Sequence, residues 1–265
     1  MDWRTRRQLL ILLIVAGVVF GVLGLIGYAL LHQPGSCTDN KLNQGEEEVD
    51  CGGPCAPCAF KHQKSVEVFY ARFVEVRPKN YDIVAEVQNP NEHLAGRPLI
   101  YRTHLFDDKG AEVGRRDGET YVYPNDRIYI IEGNFVTERT VVEAKIEILP
   151  DETRWQYTNA LHPDLTVGNK QYEVVTVDDR ELSYVSAVLT NRESAGFHNV
   201  DVRVALLDKD GNIAGVAKTI VQNLPPGGTR KVEFTWPNKI AADVDRVELE
   251  ARADGLNQQN ILIPR

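Results

Sequence analysis

Residues 9–31 read LLILLIVAGVVFGVLGLIGYALL, without a single charge. Coiled as a helix at ~1.5 Å per residue, such a run is ~34 Å long, enough to cross a ~30 Å hydrocarbon core. A helix also satisfies its own backbone hydrogen bonds, which lipid demands. Nothing after residue 31 is comparably apolar, so the chain reads as one anchor carrying a large polar part. Arg4, Arg6 and Arg7 precede the run, and residues 32–36 hold no Lys or Arg. The positive-inside rule then places residues 1–8 in the cytoplasm as a basic tail and the bulk of the chain outside the cell membrane. The run is longer than a signal-peptide core and lacks a small-x-small cleavage site, so it is expected to stay as a signal-anchor. Gly35-Ser36-Cys37 approaches a lipoprotein cleavage box, but Pro34 stands where leucine is required. Gly17, Gly21 and Gly24 share one helix face and form a candidate dimer face, a route to a homo-oligomer.

The net charge of −8 includes +2 from the first 31 residues, leaving −10 on the remainder. That sign disfavours nucleic acid and anionic headgroups as partners. The 234 residues after the anchor suffice for two domains of ordinary size.

All four cysteines, Cys37, Cys51, Cys55 and Cys58, fall within residues 37–58. So short a module cannot bury enough apolar surface to order itself and needs staples or a metal. Outside the cytoplasm two disulfides are expected, with three pairings open. The rival is zinc, for which Cys55-x-x-Cys58 has ligand spacing, but Cys37 and Cys51 do not match it. Asp39, Asn43, Glu46 and Asp50 supply hard oxygens within twelve residues, a candidate calcium site. The same side chains are equally suited to capping backbone amides in turns. The frame Cys37-x-Asp39, Asn43, Glu46, Val49-Asp50-Cys51-Gly52-Gly53-x-Cys55-x-x-Cys58 resembles a short cysteine-rich repeat of secreted and surface-anchored microbial proteins. The resemblance implies an extracytoplasmic setting. Asn40 stands where the repeat usually has glycine, and Asn tolerates positive φ.

From residue 64 the apolar pattern has period two. Tyr81, Ile83, Ala85 and Val87 alternate with Asp82, Val84, Glu86 and Gln88, and residues 99–106, 128–136 and 141–149 read as further strands. Leu105-Phe106-Asp107-Asp108-Lys109-Gly110 is answered 101 residues later by Leu206-Leu207-Asp208-Lys209-Asp210-Gly211, and Asn89 by Asn191, one residue off that offset. The expected fold is all-β: two tandem immunoglobulin-like antiparallel sandwiches at 64–150 and 168–254, a linker at 151–167 and a C-terminal tail at 255–265. Trp155 and Tyr157 are unusual for a free linker and suit a packed junction, a partner contact or an extra edge strand. Each copy resembles the FxLYD family of extracytoplasmic immunoglobulin-like domains. The carrying residues are Val87-Gln88-Asn89, Leu105-Phe106-Asp107 and Pro124 in copy one. In copy two they are Leu189-Thr190-Asn191, Leu206-Leu207-Asp208 and Pro225-Pro226-Gly227. Thr103 and Val204 replace the leading Phe, and Leu207 the Tyr.

The six histidines show no i, i+3 or i, i+4 pair, and no HExxH, G-x-S-x-G or phosphate-cradling loop occurs. No enzyme activity is expected. The expected function is a membrane-anchored extracytoplasmic scaffold or interaction protein with an unidentified protein partner. The alternatives are an accessory subunit of an envelope membrane complex, paired through Gly17 and Gly21, and a calcium-stabilised adhesion protein.

Overall fold

The computed structural model describes residues 3–31 and 36–262. The ends of the basic tail and C-terminal tail (1–2 and 263–265) lie outside these residues. So do residues 32–35, which include His32 of the cation-free flank and Pro34 and Gly35 of the cleavage-box comparison. The chain divides into two compact units, Met1–Lys61 and His62–Arg265.

In the first unit α1 (Trp3–Leu31) is a single helix whose charged residues all lie in its first turns. Its segment Gln8–Tyr28 is long and apolar enough to cross a membrane, and none of it is buried in protein. The cysteine module has little regular structure, ending in α2 (Cys58–Lys61). Its chain reverses through positive φ at Asn40, Gln44, Gly45, Asp50, Gly52 and Gly53. Gly53 is required: a Cβ there would lie 2.3 Å from the Gly45 carbonyl oxygen.

The second unit is all antiparallel β. Strands β1 (Glu67–Arg77), β2 (Asn80–Gln88) and β5 (Arg127–Val136) form one sheet, in the order β1-β2-β5. Strands β3 (Leu94–Phe106), β4 (Glu112–Val122) and β6 (Glu143–Ile148) form the facing one, in the order β4-β3-β6, with β7 (Trp155–Tyr157) also on β3. The next six strands repeat this order. Strands β8 (Leu165–Val177), β9 (Arg180–Asn191) and β12 (Thr229–Thr235) form one sheet, and β10 (Gly196–Leu207), β11 (Ile213–Leu224) and β13 (Arg246–Arg252) the other, with β14 (Ile261–Leu262) on β10. These are two immunoglobulin-like sandwiches. The predicted alternation sets their cores: Ile83, Ala85, Val87, Leu99, Tyr101, Leu105 and Ile128 fill the first, and Val185, Leu189, Val200, Val202, Val204 and Leu206 the second.

Two boundaries differ from the sequence expectation. Residues 151–167 are not all linker, since Trp155–Tyr157 pairs with Leu94–Gly96 and so completes an edge of the first sandwich, while β8 begins at Leu165. Residues 255–265 are not a free tail either. Asn260 is buried and holds both backbone groups of Asn199, and Ile261 and Leu262 pair with Phe197 and Gly196.

Both sandwiches use the same corner chemistry. Asn89, fully buried, donates to the carbonyls of Leu94 (2.6 Å) and Tyr123 (2.7 Å) and accepts from the Asn91 amide (3.1 Å). Asn191 donates to the carbonyls of Ala195 (2.8 Å) and Pro225 (3.0 Å) and accepts from the Glu193 amide (3.0 Å). Each side chain ties two separate loops together at the end of its sandwich. The hairpins after β3 and β10 turn on Asp107, which accepts from the Lys109 and Ala111 amides, and Asp208, which accepts from those of Asp210 and Asn212.

Candidate binding cleft between the sandwiches

An antiparallel sheet usually keeps one face polar. Here the outer faces of two sheets are instead covered by each other. Val84 and Ile131, on the outer side of the β1-β2-β5 sheet, pack with Ala205, Leu207 and Val216 from the β11-β10-β13 sheet, and all five are buried. The second unit is therefore four sheets deep. Val84 sits between Asp82 and Glu86 in sequence; its burial marks the one stretch of β2 whose outer face meets protein rather than water.

Polar groups seal the margins of this contact. Arg252, on β13, meets Asp126 at the start of β5, with side chains 6% and 4% exposed. Its Nη1 also reaches Glu250 at 2.9 Å. Burial works against the charge on Arg252, but the Glu250 and Asp126 carboxylates outweigh it and hold the guanidinium above its ordinary pKa. Arg203 on β10, 8% exposed, donates to the Tyr129 carbonyl at 2.6 Å and to Thr120 Oγ1 at 3.3 Å. The Tyr129 hydroxyl donates to Glu248 at 2.8 Å, and the Gly255 amide donates to the Tyr123 hydroxyl at 2.8 Å. Arg97 Nε donates to Asp254 at 2.6 Å.

Beside this seam lies a half-open cleft of about 760 Å³ with walls from both sandwiches. The first sandwich contributes Arg97, Pro98, Tyr101, Glu119, Tyr121 and Ile131 among others, and the second Asp201, Arg203, Lys218, Thr219, Ile220 and Asn257. Arg97 and Pro98 occupy a register break in β3 between Gly96 and Leu99. Such bulges re-aim side chains at sheet margins. Tyr101 lies opposite Gly118 on β4, where a Cβ would fall 2.5 Å from its ring. The glycine lets the ring lie flat across β4, and the hydroxyl donates to Glu132 Oε1 at 2.6 Å. Burial first, then the Glu132 carboxylate, raises the Tyr101 pKa far above that of a free phenol. Burial does the same to Tyr121. The Tyr121 hydroxyl oxygen has no hydrogen-bond partner among the described residues. Leaving such a group buried and unsatisfied costs roughly 1–3 kcal/mol.

The sequence singled out other residues, and the structure places them in the first unit. Cys37 joins Cys55 and Cys51 joins Cys58. The two Cys-Glu clusters there, Cys37-Glu46-Cys55 and Glu48-Cys51-Cys58, therefore offer disulfide sulfurs, which lack the thiolate a zinc ion binds. Asp39 accepts from the Lys41 amide at 2.9 Å and from Asn43 Nδ2 at 2.8 Å. The Asn43 amide, opposed by burial and helped by backbone amides, lowers the Asp39 pKa. Glu46 accepts from the amides of Asn43 and Asp50, and Asp50 from that of Asn40. The three acids of the candidate calcium set thus act as turn acceptors. Gly17, Gly21 and Gly24 face open space, with nothing within 4 Å of a Cβ built on any of them. The cleft itself escaped sequence reasoning. The seam beside it left one signal, Val84, an apolar residue on a polar-looking face, with Leu207 directly after the inward Leu206.

No family model and no curated protein matches this chain. Among solved structures it is similar to red sea bream transglutaminase, at 14% identity and a TM-score of 0.24, over 71% of this chain and 29% of that one. It is also similar to the N-terminal CBM22-1-CBM22-2 tandem domain of Paenibacillus barcinonensis Xyn10C, at 9% identity and a TM-score of 0.17, over 72% and 84% of the two chains. At these scores neither likeness bears on ligand or activity.

Proposed function

We propose that this chain is a single-pass, membrane-tethered and non-catalytic binding protein whose two sandwiches, copies of one unit, act outside the cytoplasm as one body. The apolar segment Gln8–Tyr28 supplies the tether, and Arg4, Arg6 and Arg7 before it keep the N-terminus inside. Two disulfides suit an oxidising compartment. The identical strand order of the sandwiches supports a tandem repeat.

The observation that carries the reading is the buried seam through Val84, Ile131, Ala205, Leu207 and Val216. Two sandwiches on a free linker would offer two independent contacts. Two sandwiches fused through a seam offer one composite surface, and the cleft lies on it. Clefts at domain junctions are favoured positions for ligand sites. The lining cations are matched by carboxylates: Arg97 by Asp254, Lys218 by Glu132 at 3.5 Å, and Arg203 by Asp201 and Glu250.

The test is site-specific photocrosslinking in intact membranes. A photoreactive residue in place of Ile220, at the cleft and 58% exposed, is expected to give a discrete adduct. The same residue in place of Thr229 on β12 is expected to give none. Adducts from position 229 with none from 220 would contradict the reading.

A further inference from the structure

We propose that the inter-sandwich cleft binds a neutral oligosaccharide; this rests on the cleft being the binding surface, as argued above. Three features of the lining point to that chemistry. The first is charge balance. Arg97, Arg203 and Lys218 are offset by Glu119, Asp201 and Asp254, and each of the three cations has a carboxylate within 4 Å. A charged ligand would have to displace one of these partners, whereas a neutral one need not.

The second is the kind of polar group. Carboxylates, the Lys218 ammonium, the Thr120 and Thr219 hydroxyls and the Asn257 amide line one volume. Vicinal ring hydroxyls each donate and accept, so they are matched by a lining that mixes acceptors and donors.

The third is the apolar surface between those groups. Pro98, Ile220 and the partly exposed Tyr121 supply flat or branched apolar contact, which suits the C–H face of a pyranose. At about 760 Å³ the cleft lies in the ~300–1,000 Å³ range of small-ligand sites, room for about two or three rings. A wholly apolar ligand would bury Asp201 and Glu119 against hydrocarbon.

The experiment uses the full chain in lipid nanodiscs. Ligand-observed saturation-transfer NMR is run against neutral hexose and N-acetylhexosamine oligomers of two to four rings, with uronate oligomers of equal length as the anionic comparison. The neutral oligomers are expected to bind and the uronates not. Glu119→Gln and Ile220→Ala, both at exposed positions, are expected to weaken binding roughly tenfold each, the cost of about one hydrogen bond or one apolar contact. Thr229→Ala is expected to leave it unchanged. Preferential binding of the uronates, or neutral binding that ignores both cleft variants, would overturn the proposal. Silence from every saccharide would also overturn it, and the crosslinker at Ile220 then separates two failures. An adduct there means the cleft binds another class of ligand, and no adduct means the cleft is not the binding surface.

Discussion

Arg252 and Asp126 stand 126 residues apart in sequence and close on each other where the second sandwich meets the first, Nη1 lying 3.1 Å from Oδ1. Neither group reaches water appreciably: their side chains are 6% and 4% exposed. Asp126 also accepts from the Tyr123 amide at 3.0 Å, so the same carboxylate shapes the β4–β5 turn and receives the other sandwich. Removing one member of a buried pair leaves an uncompensated charge and costs about 3–5 kcal/mol. Arg252→Met is therefore expected to lower unfolding stability by about that amount in urea titrations. Arg252→Met combined with Asp126→Asn is expected to recover part of it, because the amide keeps the turn acceptor and drops the charge. A double variant no better than Arg252→Met would contradict this account of the pair.

Asn89 and Asn191 are expected to be equally sensitive to change. Asn89→Ala leaves the Leu94 and Tyr123 carbonyls and the Asn91 amide without their partner, at roughly 1–3 kcal/mol per unsatisfied group where water cannot enter. A loss of about 2–4 kcal/mol is expected at each site by chemical denaturation. Loss at one asparagine without the other would break the equivalence of the two corners.

The disulfides belong to the first unit and should act there alone. Peptide mapping without reductant is expected to recover Cys37 linked to Cys55 and Cys51 linked to Cys58. The Cys37–Cys55 bridge spans 18 residues, and closing a loop of that size removes about 3 kcal/mol of unfolded-state entropy. Reduction is expected to expose the module to protease while the β unit melts at an unchanged temperature. A fall in that melting temperature would show that the staples support the sandwiches as well.

Acid should destabilise the β unit through its turn aspartates. The Ala111 amide and then Arg139 hold the Asp107 carboxyl below its ordinary value, and Asn212, through its side chain and then its amide, does so for Asp208. A carboxyl lowered in the folded state contributes stability that is full above its unfolded pKa of ~3.9 and is lost as pH falls through the folded value. Asp82 runs the other way, since burial raises its pKa, so it stops opposing folding as it protonates. Stability is expected to be flat above about pH 5 and to fall below about pH 4. Asp107→Asn and Asp208→Asn should flatten that decline in pH-dependent denaturation; an unchanged decline would point to other carboxylates.

The features legible in the sequence were local ones. Period-two runs set β2 and the cores, because each strand buries one face whatever its partners are. Asp107 and Asp208 marked turns whose bonds span two to four residues, whereas Asn89 and Asn191 were legible only as a repeated pair, since each also holds a carbonyl 34 residues away. Strand β4 was not legible. Arg115, Arg116, Asp117, Gly118 and Glu119 lack an apolar alternation, and the strand exists because β3 offers it a ladder, unbroken from Leu99 to Leu105. Strands β7 and β14 were too short to show a period. The seam was hidden for a different reason. Ala205, Leu207, Val84 and Ile131 each look like ordinary strand residues, and only the burial of both faces of β2 and β10 shows that the sandwiches are joined. The cleft inherits that difficulty, since its two walls come from stretches about a hundred residues apart.

Whether the two sandwiches move as one body is the claim on which the rest depends, and a distance distribution measures it directly. Spin labels at Lys145 on β6 and Thr229 on β12, both exposed and on different sandwiches, would be read by pulsed dipolar spectroscopy on the full chain in nanodiscs. The account predicts one narrow distribution that broadens in Arg252→Met. A broad distribution in the unmodified background would mean that the sandwiches swing on a linker, and neither the seam nor the composite cleft would then describe the protein in solution.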